Sequence, residues 1–354
     1  MHKFIEGDQK IVKNVSDNIT RIVGIDYARA FFSVCVVCLH MGGSLPNIFN
    51  AKIYEINELS FSDFVSIYIF QIAVPTFFII SNYLFSFRPY DWRDLSKMLV
   101  RCLKLFFFWS LIFTLIMKRP LLYPRNVMDA VILLLSGYYT LYYFFVSLVI
   151  LTIITHFAKK LPNFLLLLLT LLSIIIVGML PILSIKYQFY LLSVLWNPLN
   201  FLPFPFAAIM IQRLKSQNLR PLYWNLIIIS LIVLALFASI LDWTIYVNEG
   251  FFTVNLYYAI PSYARPSVVL LTILVLVLVV NFQMKKLAVI DFMAKHSLAL
   301  YCLHYFFLPM GVYITKIFQL TGIISWLASV TMITVTCYIL SMILPYFLNK
   351  DLIR

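Results

Sequence analysis

The chain has 354 residues, 63% of them hydrophobic and 12% charged, with a mean hydropathy of +0.95 and a formal net charge of +13. So much apolar surface cannot be hidden inside one water-soluble core. The positive charge calls for no nucleic-acid partner, because basic loops lying beside anionic lipid headgroups account for it.

Residues 1–20 are polar and mixed in charge without an apolar core, which reads as a polar cytoplasmic tail and not as a cleaved signal peptide. Apolar runs near the ~20 residues that cross a hydrocarbon layer then follow at 22–41, 64–87, 98–117, 138–157, 163–182, 200–212, 223–241, 266–283, 297–314 and 324–348. No connection is long enough for a soluble domain and no internal repeat is visible. The expected fold is therefore all-α, a polytopic membrane helix bundle of about ten transmembrane helices forming a single domain over 1–354. The 200–212 run is short, and "NPLNFLPFPF" places three prolines at or just before its start. A broken or half-length helix is expected there, since irregular backbone at membrane depth is tolerated where it lines a cavity.

Lys and Arg divide unevenly between alternate loops. The set that includes both tails carries nineteen, among them Arg21, Arg88, Arg93, Lys97, Arg101, Lys104, Lys159 and Lys160, while the other set carries seven. The positive-inside rule then puts both termini in the cytoplasm and makes this a multi-pass protein of the cell membrane, the cytoplasmic or inner membrane if the source is bacterial. All five cysteines fall inside predicted spans, where packing is their expected role. No metal-ligand pattern is present.

The polar groups inside the spans carry the chemistry. The first span contains "DYARAFFSVCVVCLHM", residues 26–41, with Asp26 and Arg29 near one end and His40 near the other. A charge at the centre of a membrane helix disfavours insertion by roughly 2.5–3.5 kcal/mol, so such groups face a bundle interior or a watery cavity. Asp26 and Arg29 are three apart, which predicts an ion pair. Arg29 and His40 are eleven apart, about three turns and roughly 16 Å along the axis, so they share a face at different depths.

Those residues, with others in the same order along the chain, resemble the acyltransferase-3 family of integral membrane acyltransferases. "DYARAFFSVCVVCLH" is similar to its Arg-x10-His motif. "VPTFFIISNYLFSF", 74–87, resembles its second-span motif of two phenylalanines before a Ser-Gly pair, with Ser81 present and Asn82 in place of the glycine. "RCLK", 101–104, resembles its Arg-x-x-Arg motif with Lys104 as the second cation. "AKHSLALYCLH", 294–304, is similar to its late motif through Ser297, Tyr301 and His304.

The resemblance implies transfer of an acyl group, commonly acetyl from acetyl-CoA, to a hydroxyl of an extracytoplasmic glycan or lipid-linked sugar. Acyl-CoA would be a co-substrate and no cofactor would be permanently bound. The expected roles follow from chemistry. A neutral imidazole can take the proton of an attacking alcohol, and His40 is the expected base. The phosphates of the donor need cations, expected from Arg101 and Lys104 with Asp26 and Arg29 orienting. Ser81, Asn82, Tyr301 and His304 are expected around the pocket. Arg88 and Arg93 read first as solvated loop cations and second as an aid to the donor cations, and His156 and His296 as interfacial residues. The aromatic-rich loop 242–265 is a further place for acceptor contact. A secondary transporter or flippase is the alternative, but it should show paired halves with matching interruptions, and none is visible.

Overall fold

The computed structural model describes residues 21–41, 64–118, 123–137, 139–192, 194–217, 219–248, 262–349 and 352, and every regular element among them is helical. Helix α1 runs Val23–His40; α2, Ala73–Ser86, follows a π-helical turn at Ser66–Phe70; α3 runs Trp92–Ile116 and α4 Val127–Leu135. Then come α5 Tyr143–Ala158, α6 Asn163–Lys186, α7 Pro203–Ser216 and α8 Pro221–Asn248. The chain closes with α9 Pro266–Asn281, α10 Ala288–Lys295, α11 Ser297–Ile317 and α12 Gly322–Ile343.

Helix starts follow local chemistry. The Asp91 side chain accepts from the Arg93 amide at 3.0 Å and caps α3, and Asn126 accepts from the Asp129 amide at 2.8 Å to cap α4. Pro203 and Pro266 stand in the first turns of α7 and α9, where a missing N–H costs nothing. Among the described residues, seven segments are long and apolar enough to cross a membrane. The other three expected positions hold α5 and α9, 16 residues each, and α7 with 14. At 1.5 Å per residue α7 spans about 21 Å, the half-length helix that the prolines of "NPLNFLPFPF" foretold.

Burial separates an inner set from an outer one. The segment containing α2 is 72% buried and packs against α1, α5, α7 and α9, whereas the first part of α8 is only 17% buried and leans mainly on α9. Leu226, Ile229, Val233 and Phe237 of α8 are all more than half exposed, an outward apolar face that suits lipid. At the start of α1, Gly24 meets α9 so closely that a Cβ would come within 1.9 Å of the Val279 carbonyl oxygen. Only glycine allows that backbone approach, and it fixes where α1 enters the bundle.

The cation-rich loops meet at one end of the bundle, called here the basic end. The Tyr27 hydroxyl donates to the Lys285 carbonyl at 3.0 Å, Lys159 Nζ to the Arg88 carbonyl at 2.9 Å, Arg213 to the Lys159 carbonyl at 2.7 Å, and Lys215 to Asn281 Oδ1 at 3.1 Å. Two expected boundaries move. The third span begins at Trp92, six residues before the expected 98, so Arg93 and Lys97 lie on a helix. Helix α8 continues to Asn248, so the expected loop 242–265 begins inside a helix, with Asp242 buried and its Oδ2 accepting from the Ser267 amide at 3.2 Å. Residues 249–261 of that loop lie outside the described residues.

Candidate active site

Helices α1 and α11 lie side by side, and between them they carry most of the expected residues. At the basic end, Arg29 of α1 donates from Nη2 to Ser297 Oγ of α11 at 3.2 Å. The expected Arg29–Asp26 pair is not formed. Asp26 instead takes Arg21 Nε at 2.6 Å, and the same guanidinium reaches Asp291 of α10, which also holds Lys295 at 3.1 Å. Arg21 lies outside the helix at the surface, where it can bridge two carboxylates. Those carboxylates raise the Arg21 pKa further above its ordinary value, and Lys295 and Arg21 hold Asp291 below the usual carboxylate range. Among the described residues no carboxylate stands within ion-pair distance of Arg29, so its charge faces inward beside a neutral hydroxyl.

Arg29 faces a cavity of about 240 Å³ that opens at this end. Arg88 and Arg101, both exposed, join Arg29 in lining it, and Ser81, Ser297 and Tyr301 add neutral polar groups. Its walls are apolar: Phe77, Ile80 and Phe85 from α2, Met98, Cys102 and Leu105 from α3, Phe144, Phe145 and Leu148 from α5. Lys159 lies 4.2 Å over the Phe85 ring, and burial together with neighbouring Arg88 pulls its pKa down to about 8. The arrangement is an apolar slot with a cationic mouth.

Four residues expected at the donor site or around the pocket do not line the cavity: Asp26, Lys104, Asn82 and His304. Met98, Arg101, Cys102 and Leu105 define the cavity-facing stripe of α3, and at ~100° per residue Lys104 points roughly 110° away from its centre. Lys104 is exposed and takes no part in the lining. Asn82 is fully buried and faces α5. It donates to the Phe78 carbonyl at 2.8 Å and accepts from Thr155 Oγ1 at 2.7 Å. Its side chain therefore ties α2 to α5, and the preceding residue, Ser81, meets the cavity. Arg88, which sequence left open between a solvated loop cation and an aid to the donor cations, lines the cavity. Its position just after α2 was the available signal.

The histidines lie deeper. The His40 ring centroid is 5.1 Å from that of His304 and 5.7 Å from that of Tyr305. His304 is fully buried, with Nδ1 at 2.8 Å from the Tyr301 carbonyl and 3.2 Å from that of Leu300. Carbonyl oxygens only accept, so Nδ1 carries the hydrogen and Nε2 is left as a lone pair, which no described group engages. Neither histidine lines the cavity. Tyr301 does, with its ring 6.2 Å from His304 and its hydroxyl donating to the Leu141 carbonyl. Tyr301 is thus the wall between the arginine slot and the histidine pair.

The other two span histidines are buried at the ends of their helices. His296 is buried, its Nδ1 2.8 Å from Ser341 Oγ of α12, a structural link between helices. His156 is buried beneath two surface rings, as described below.

A helical bundle with membrane-length apolar segments, an arginine-rimmed slot and an internal histidine pair defines a multi-pass membrane protein with an enzyme-like site. The acyltransferase-3 family, described as an acyltransferase domain, matches residues 22–344. This covers nearly the whole chain, and the chain belongs to that family. No curated protein and no solved structure matches it.

Proposed function

We propose that this acyltransferase is an O-acyltransferase that takes an acyl group, acetyl in the first instance, from acyl-CoA at the basic end. It delivers the group to a hydroxyl of a surface glycan or lipid-linked sugar on the far side of the membrane. The excess of Lys and Arg in these loops supports a cytoplasmic basic end, where CoA thioesters are found, and a bacterial cytoplasmic membrane suits this topology. What carries the reading is the cavity: three arginines over an apolar slot match a donor with an anionic pyrophosphate and a long, weakly polar arm ending in a thioester.

The chemistry needs a base and a route. The acceptor oxygen attacks the thioester carbonyl, a C–O bond forms, and the C–S bond breaks. The alcohol proton passes to His40, which returns it to the departing thiolate, so His40 ends as it began. His304 stands beside His40, its ring 5.1 Å away, and orients it by packing. Asp26 acts through Arg21 to seat the start of α1 and has no contact with the donor.

Titration of the purified full-length protein with coenzyme A tests this reading. Saturable binding by the wild type, weakened by Arg29→Ala and Arg101→Ala in protein that still folds, is the expected result. Absence of saturable binding by well-folded wild-type protein would overturn it.

A further inference from the structure

Beside the mouth of the slot lies a group of rings that the acyl-transfer site leaves unused. Tyr90, on the turn leading into α3, and Trp92, its first residue, are 37% and 60% exposed. Both cover His156, from the last turn of α5. Tyr90 stacks on it with centroids 4.1 Å apart and planes at 21°, and Trp92 lies 5.0 Å away. His156 has no exposure of its own, and neither of its ring nitrogens has a hydrogen-bond partner. The outer face of Tyr90 carries Lys160, with Nζ 3.9 Å from the ring centroid.

A purely lipid-facing aromatic belt explains two exposed rings but not the third. An imidazole with two unengaged nitrogens, sealed beneath rings at a polar boundary, is costly unless something engages it. The group is also contiguous with the slot: Arg88 lines the cavity two residues before Tyr90, and its carbonyl accepts from Lys159, three residues after His156. Its surroundings mix Asp91 and Asp94 with cations, so it is not simply another phosphate clamp. Flat faces with polar nitrogens at the edge suit a heteroaromatic base.

We infer that Trp92, Tyr90 and His156 form the platform for the nucleoside base of the donor, outside the slot that takes its arm and beyond the arginines that take its pyrophosphate. The inference rests on the donor being a CoA thioester. On this account the base stacks on the open face of Trp92, and the His156 nitrogens meet its polar edge as the two rings part.

Coenzyme A and pantetheine, the same arm without the nucleotide, are the probes, each titrated against the purified full-length protein in detergent. Trp92→Ala should weaken coenzyme A binding by about tenfold, the usual scale of one lost base stack, and leave pantetheine binding unchanged. Trp92→Phe should restore most of the loss. Coenzyme A affinity within twofold of wild type in folded Trp92→Ala protein would overturn the platform and return these rings to the lipid interface, with the donor reading intact. An equal loss for both probes would also overturn it. Wild-type protein that binds neither probe would sink the donor reading itself, and the platform with it.

Discussion

The two ends of the α1–α11 pair are built from different materials. At the basic end, Arg29 and Ser297 open onto a slot whose mouth carries two exposed arginines. About three turns deeper, His40 and His304 stand among Tyr301 and Tyr305, away from the cavity. One end presents guanidinium groups to an open cavity; the other packs a half-buried His40 against a fully buried His304. On the proposed reading the difference separates binding from chemistry, with Tyr301 between the two. Variants at one end should leave the other intact.

The largest effect is expected at the histidine end. His40→Ala should lower the rate of acyl transfer by ~10²–10⁴-fold, the contribution of a positioned base, while coenzyme A affinity stays at the wild-type value. Single-turnover transfer and ligand titration on the same preparation check both halves, and transfer near the wild-type rate would make His304 the base to test next. At the basic end, Arg29→Ala should weaken coenzyme A binding by about ten- to a hundredfold, the value of a charge-assisted hydrogen bond removed from a partly buried site. Because Asp26 is held by Arg21, this variant should accumulate to normal levels. A fall in folded protein measured by detergent gel filtration would revive the direct Asp26–Arg29 pair.

Smaller effects sharpen the boundary of the slot. Arg101→Ala should cost several-fold in donor affinity and Lys104→Ala nothing, since only the former lines the cavity; equal losses would rotate α3 from its assigned position. The smallest effect concerns pH. Lys159, next to Arg88 and Asp94, titrates near 8, below its ordinary value because burial and Arg88 disfavour its charge. Its positive charge is present below that pH and lost above it. Donor affinity should therefore fall by about two- to fivefold, the scale of one exposed ion pair, as pH rises from 7 to 9. Lys159→Gln should flatten that step, and an unchanged step would exclude Lys159.

Much of this was legible in the sequence because membrane helices are written in long apolar runs, and the charges that interrupt them stand out. The ten runs, the short α7 and the shared face of Arg29 and His40 all came from spacing along one element. What spacing could not supply was choice among partners. Asp26 and Arg29 are close enough to pair on a helix, yet Arg21 and Asp291, brought in by α10, offer Asp26 a better exposed arrangement. Ser297 reaches Arg29 across 268 positions of chain, and Thr155 claims Asn82 across 73. Lys104 was read by its motif, whereas the phase of α3 directs it away from the slot.

The most direct test of the central claim, that the arginine slot feeds a hydroxyl acceptor through His40, is mass spectrometry of surface glycans and lipid-linked sugars. Cells carrying the wild-type gene, no gene, His40→Ala and Arg29→Ala would be compared at matched protein levels. The account predicts one species heavier by a single acyl group in wild-type cells, absent without the gene and in His40→Ala, and reduced in Arg29→Ala. The same acylated species at full abundance in His40→Ala cells, or its presence in cells without the gene, would contradict it.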